Sequence, residues 1–257
     1  MRAAPSRAEA TLTPHPSAWL LDCIALFPPT TQFYGFDITP AHFPAARDIP
    51  SNIQLRQRDI LAPDVPDNLV GSFDIVHIRA FGSVIRDSDC APVLQAVNRL
   101  LKPGGWLQWE EADSSAMFAV GGDSGAASST TLLRVLEAGG RARGTTFEYV
   151  CLLDSWLDAD VGRWFANLRD QVAAAGFRDT DVLKFPLLSE QYKAWTEDYL
   201  LVYEEIAHML PSEKDMPGAP MTSEKYEALF NQVLKETSDG AVIHSQHLIA
   251  VLGQKAA

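Results

Sequence analysis

Acidic and basic side chains close several short apolar runs in this chain. Gln32-Phe33-Tyr34-Gly35-Phe36 ends on Asp37, followed by Ile38, and Asn52 to Gln57 is followed by Arg58-Asp59-Ile60. Phe73-Asp74-Ile75-Val76 leads into His77-Ile78-Arg79, and Trp106-Leu107-Gln108-Trp109 into Glu110-Glu111. In an open α/β sheet, ligands bind beyond the carboxyl ends of the strands, near the point where strand order reverses. A carboxylate placed there, such as Asp37, can accept both hydroxyls of a ribose. A second one, such as Asp59, can take an adenine amino group while Ile60 packs on the ring. His77 titrates near neutrality and is a candidate general base. Glu110 and Glu111 point to opposite faces of one strand, so one can face a pocket and the other solvent. Glu111 is the second catalytic candidate, and Asp113 shares its face. Each residue also has a plainer reading: a solvated acid at a strand end, or a hydrogen-bonded histidine.

The elements that must carry these groups follow from hydrophobic periodicity. Helical spacing runs from Trp19 to Phe27 and stops at Pro28-Pro29. Strands are predicted over Gln32–Asp37, Asn52–Arg58, Phe73–Ile78 and Trp106–Glu110. A helix over Ala91–Leu101 has Val93, Leu94, Val97, Leu100 and Leu101 on one face, with Gly104-Gly105 ending it. Alternating strand and helix between residues 19 and 111 predicts βα units and a mainly parallel sheet with helices on both faces. Residues 113–150 break the rhythm with Gly, Ala, Ser and Thr, as a lid or an irregular loop would. Beyond them the pattern predicts a helix over Ser155–Ala175, a strand over Asp181–Pro186, helices over Tyr192–Leu210 and Glu224–Glu236, and a last strand over Val242–Leu252. The expected organisation is one domain over 1–257. Its parts are a ligand-binding half (10–112), covering helices and a strand (113–240), and a C-terminal strand (241–257).

Composition narrows the function classes. At 257 residues, with 47% apolar and 21% charged residues, the chain can bury an ordinary core. The net charge of −12 opposes nucleic acid and anionic membrane as partners but names no partner, and reads as a solvated acidic surface. Cys23, Cys90 and Cys151 are dispersed, which suits buried reduced thiols in the cytoplasm or nucleus. The N-terminus has no apolar run of a secretory leader, and no stretch of about 18 apolar residues is present to span a membrane. Glu204, Glu205 and His208 lie within one helical turn, but lack a second cluster and read as a solvated face, so no metal site is expected. His244 and His247 on one strand point in opposite directions. Trp156, Trp164, Trp195, Tyr199 and Tyr203 read as helix core, or as the roof of an apolar pocket.

Together, Trp19-Leu20-Leu21-Asp22, Tyr34 to Ile38, Phe43-Pro44, Asp59-Ile60, Phe73 to Arg79 and Leu101 to Glu111 resemble the class I S-adenosylmethionine (SAM) dependent methyltransferases, specifically those of fungal secondary metabolism. The likeness covers residues 19–111 and, more loosely, the C-terminal helices and last strand. It implies a Rossmann-like fold, SAM as cofactor, and methyl transfer to O, N or C of a small molecule. By position it implies that Asp37 and Ile38 hold the ribose and Asp59 and Ile60 the adenine. His77 and Arg79 would line the methionine end or the substrate mouth.

The chain departs from that family at the glycine-rich loop. Thr13, His15 and Ser17 stand where glycines belong, Pro14 and Pro16 lack an N–H, and Thr11 replaces the acid of the first strand. The first strand is therefore expected to be weak or missing. Two origins fit: a shortened gene product, or a protein that has given up SAM as a methyl donor. The second origin leaves a cyclase, isomerase or pericyclase on the same fold, or a non-enzymatic regulator, as alternatives to a methyltransferase.

Overall fold

A computed structural model describes residues 8–12, 16–62, 64–82, 85, 89–112, 117–143, 163–245 and 247–257. Cys151, Trp156, Asp113 and loop residues Thr13, Pro14 and His15 lie outside them. By contacts the chain divides into two compact units. The first comprises residues 1–111, 164–184 and 249–257, and the second 112–163 and 185–248.

The first unit is built on a seven-stranded sheet. Its strands are β1 (Ala8–Leu12), β2 (Gln32–Asp37), β3 (Ile53–Gln57), β4 (Phe73–Arg79), β5 (Leu101–Ala112), β7 (Phe177–Pro186) and β9 (His247–Lys255), in the order β3-β2-β1-β4-β5-β9-β7. The β1–β2, β1–β4, β2–β3 and β4–β5 pairs are parallel. Chain order runs outward from β1 to β3 on one side and resumes at β4 on the other. The switch point therefore lies between β1 and β4. Helices α1 (Pro16–Ile24), α2 (Ala91–Leu100) and α4 (Arg163–Ala174) accompany this sheet. Its main core joins Val76, Ile78, Leu94, Val97, Leu107 and Trp109 with Leu168, Val172, Phe177 and Val251, all buried.

The first strand is neither missing nor peripheral. Ala8–Leu12 pairs with β2 on one side and β4 on the other, and Ala10 and Thr11 are fully buried. Five residues flanked by prolines give little periodicity to read. Two neighbouring strands supply the backbone partners that fix them as strand.

The Pro-Gly-Gly stretch also differs from expectation. It is not a turn after the helix: α2 stops at Leu100, and Leu101 already begins β5. Phe73 pairs with Leu101 but Ile75 with Trp106, so Lys102 to Gly105 form a bulge within the ladder. Gly104 sits there at φ 76°. A Cβ on Gly105 would come within 3.1 Å of the Asp74 carbonyl and the Leu101 side chain, so the bulge needs glycine at both places.

The second unit pairs β6 (Met117–Gly121) antiparallel with β8 (Ala241–Ser245) and packs them with α3 (Ala127–Arg143), α5 (Tyr192–Ile206) and α6 (Ser223–Ser238). Much of the Gly/Ser-rich stretch expected to be irregular is thus a strand and a helix. The amides opening α3 are held by a side chain distant in sequence. Glu236 accepts the Ser128 N–H, the Ser129 N–H and the Ser129 hydroxyl, each at 2.8 Å. Such a cap leaves no local pattern. The single last strand expected over Val242–Leu252 is two strands, β8 and β9, in different sheets.

Candidate functional site at the carboxyl ends of the parallel strands

Asp37 and Asp59 are set by the same local device. Asp37 Oδ1 accepts the Thr39 N–H at 2.9 Å, and Asp59 Oδ1 accepts the Leu61 N–H at 2.9 Å. Each is an Asx turn formed as the chain leaves its strand. The Arg58 N–H donates to the Asp37 carbonyl at 2.7 Å, which ties the β3 exit to the end of β2. Among the described residues, no hydrogen bond is made to Oδ2 of either carboxylate. Ile38 is 65% exposed at the rim. Ile60 belongs to the buried core with Phe36, Val65 and Leu69.

His77 lies at the switch point and is completely buried. Its Nδ1 is 2.9 Å from the Thr11 hydroxyl across the β1–β4 pair. Trp19, in the first turns of α1, stacks on the imidazole with centroids 3.9 Å apart and planes 7° apart. Nε2 is 3.5 Å from Glu110 Oε2, at the outer limit of contact, and makes no hydrogen bond with a described residue. Burial lowers the His77 pKa more than Glu110 raises it, and the nearby Arg79 charge lowers it further, so the ring is neutral near pH 7. Facing an ionised carboxylate, the favoured tautomer carries its proton on Nε2 and accepts the Thr11 hydroxyl at Nδ1. Burial by itself would raise the Glu110 pKa, but its polar partners outweigh that and hold it below the usual range. With His77 neutral, the strongest of these are the Gln108 amide, 2.5 Å from Oε1, and the Arg79 charge. Arg79 is exposed beside Glu110, its register partner.

Glu111 is buried, and its carboxylate is committed to the chain itself. Oε1 accepts the Phe81 N–H at 2.6 Å and the Trp109 indole N–H at 2.8 Å. Burial pushes its pKa up to about 7 against those donors. The carboxylate thereby clamps the segment that leaves β4, where Ala80 adopts a positive φ of 56°. Glu110 is the half-buried member of the pair, and Glu111 is the one sealed inside. Both His77 and Glu111 are buried. Alternation along the strand separated the two glutamates, but which face was closed depended on the loop after β4. The Thr11–His77–Trp19 assembly was likewise invisible, because it joins three elements.

Among the described residues no group of His, Cys, Asp and Glu could hold a metal ion. Glu204, Glu205 and His208 are exposed on α5 and the turn after it. Cys23 and Cys90 are buried and form no disulfide with a described residue. Among the described residues no helix is long and apolar enough to cross a membrane.

Comparison with known proteins shows what part of this sheet is similar to. Residues 16–105 match a methyltransferase domain. The chain is 40% identical over 85 residues to the methyltransferase grgD of a Penicillium species, a match covering 33% of this chain and 29% of that one. It is 38% identical over 93 residues to the N-methyltransferase verN of Clonostachys rogersoniana, covering 36% and 32% of the two chains. The N-methyltransferase tcpN of Claviceps purpurea is 36% identical over 100 residues, covering 38% and 35%. The matches thus span about a third of the length of these curated relatives. Solved methyltransferases share the fold. The phosphoethanolamine N-methyltransferase 2 of Haemonchus contortus superposes with a TM-score of 0.51 at 15% identity, over 98% of this chain and 50% of that one. A candidate methyltransferase from Bacillus halodurans gives 0.51 at 13% identity, over 100% and 95%.

Proposed function

We propose that the chain is a SAM-dependent methyltransferase acting on a small-molecule acceptor of fungal secondary metabolism. The observation that carries this reading is the pair Asp37 and Asp59. They are two carboxylates pre-set by matching Asx turns at the ends of adjacent strands, beside the switch point of a methyltransferase domain. Asp37 takes the ribose hydroxyls with Ile38 at the rim, and Asp59 takes the adenine amino group. Ile60 supports that site from the core below. Arg79 lies toward the methionine end. When bound, SAM supplies an electrophilic methyl group, and the protein contributes alignment of the acceptor with it. His77 and Glu111 act as positioning residues. His77 joins β1, α1 and β5, and Glu111 fixes the chain leaving β4.

Two of the curated relatives are named N-methyltransferases, which supports a nitrogen acceptor. The net charge of −12 supports a small molecule over a nucleic acid. The buried thiols of Cys23 and Cys90 suit the cytoplasm.

Calorimetric titration of the 257-residue chain with SAM and with S-adenosylhomocysteine tests the reading. Micromolar binding of both is expected. No binding of either would overturn it.

A further inference from the structure

The second unit holds a buried histidine that the methyl-donor site does not use. His244 is the cross-strand neighbour of Phe118 in the β6–β8 pair. It is 1% exposed. The Phe118 ring stands at 68° to the imidazole with centroids 4.1 Å apart, and Tyr192 stacks on it at 3.6 Å and 14°. Tyr192 opens α5, and Thr196 one turn later pins that helix to β8. The Thr196 hydroxyl accepts the Ile243 N–H at 2.9 Å and lies 2.7 Å from the Tyr192 carbonyl and 3.1 Å from that of Ile243. The aromatic sandwich is therefore fixed by backbone contacts.

The protonation of the ring follows from its neighbour. Nδ1 is 2.9 Å from the Ser245 carbonyl, which only accepts, so Nδ1 carries the proton. Nε2 is then a bare acceptor, and it makes no hydrogen bond with any described residue. Burial lowers the pKa, outweighing the Ser245 carbonyl, and keeps the ring neutral. Buried polar atoms are almost always paired, and an unpaired one calls for a partner of its own. The ring's faces meet Phe118 and Tyr192, so such a partner must approach Nε2 in the ring plane, past apolar walls.

We propose that His244 Nε2 is the polar recognition point of a small-molecule subsite within this unit, taking an N–H or O–H donor carried on a flat apolar ligand. Ligand binding there does not rest on the methyltransferase reading.

Indole and N-methylindole are the probes, because they have nearly the same shape and only the first has an N–H. Binding of each to the full chain is measured by calorimetry, with the His244 imidazole nitrogens followed by long-range proton–nitrogen NMR. Indole is expected to bind about tenfold more tightly than N-methylindole, as one hydrogen bond to a buried acceptor would give, and to shift the Nε2 resonance. His244→Asn keeps a donor near Nδ1 and removes Nε2, so its two affinities should become equal. His244→Gln, which places a polar atom near Nε2, should restore part of the preference. Thermal melts confirm that both variants are folded. If the variants fail to fold, the wild-type affinity ratio and the Nε2 shift decide alone. Equal affinities in the wild type, no binding of either probe, or an unmoved Nε2 resonance overturns the proposal. So does a preference that persists in folded His244→Asn. SAM affinity is measured on the same samples. Its absence with the indole preference intact would sink the methyltransferase reading and leave the subsite standing.

Discussion

The indole of Trp19 lies flat on the imidazole of His77, with centroids 3.9 Å apart. The contact locks the start of α1 to the middle strands of the sheet. His77 also meets Thr11 of β1 and Glu110 of β5. One buried ring therefore ties together the elements around the switch point.

Removing that ring contact should loosen the domain. Trp19→Ala is expected to lose about 0.5–1.5 kcal/mol from the aromatic pair, beyond the loss of buried area. The acid limb of stability should report the same residue. The folded pKa of His77 is lowered, so the unfolded chain takes up the proton first as pH falls. The neutral ring's contribution is complete above the unfolded value of 6.5 and is lost as pH drops below it toward the folded value. Urea melts of the wild type should therefore show stability falling over that interval, and His77→Gln should flatten part of the fall. His244 titrates in the same direction and accounts for a remaining slope.

Glu111 has the opposite sign. Its pKa is raised from 4.5 to about 7, so the folded protein holds a proton that the unfolded chain has released. That contribution is full below pH 4.5 and is lost as pH rises through about 7. Glu111→Gln keeps an acceptor for the Phe81 and Trp109 N–H groups without the charge. It should therefore gain on the wild type as pH rises from neutral to mildly alkaline, in melts at matched ionic strength. Glu111→Ala leaves both donors unpaired and should lose about 1–3 kcal/mol for each.

The nucleotide assignment predicts separable effects at two acids. Asp37→Ala should weaken SAM and S-adenosylhomocysteine alike by about tenfold or more, the loss of a charge-assisted hydrogen-bond pair. Asp59→Ala should also weaken both, by a smaller factor, since it removes one contact to the base. Both side chains lie at the surface of the site, so melting temperatures should change little. Calorimetry that finds Asp37→Ala binding like the wild type would disprove the assignment.

Packing of the last strand gives a prediction independent of ligand. A Cβ on Gly253 would lie 2.7 Å from Val172 Cγ1 and 3.1 Å from Phe177 Cβ. Gly253→Ala must push α4 or β7 away from β9 and should lose about 1–3 kcal/mol by overpacking. Thermal denaturation measures it directly.

Much of this arrangement was legible in residue order. The runs that lead to Asp37, Asp59, Arg79 and Glu111 are apolar and β-rich, and each became a strand of the sheet. The boundary at Leu100 and Leu101 was missed because a leucine suits a helix face and a strand equally. The Ala127–Arg143 helix was missed because its cap is Glu236, more than a hundred residues away.

By itself the sequence determined which residues reach the carboxyl ends of the strands. That follows from period and turn chemistry, which are local properties of the chain. Only the tertiary structure decided which of them remain open to a ligand. Asp37 and Asp59 are set by their own Asx turns, and among the described residues the second oxygen of each makes no hydrogen bond. His77 is closed by Trp19 and Thr11, and Glu111 by the backbone after β4. Burial of a charged or polar group is a sum over every element that packs on it, and no local pattern carries that sum.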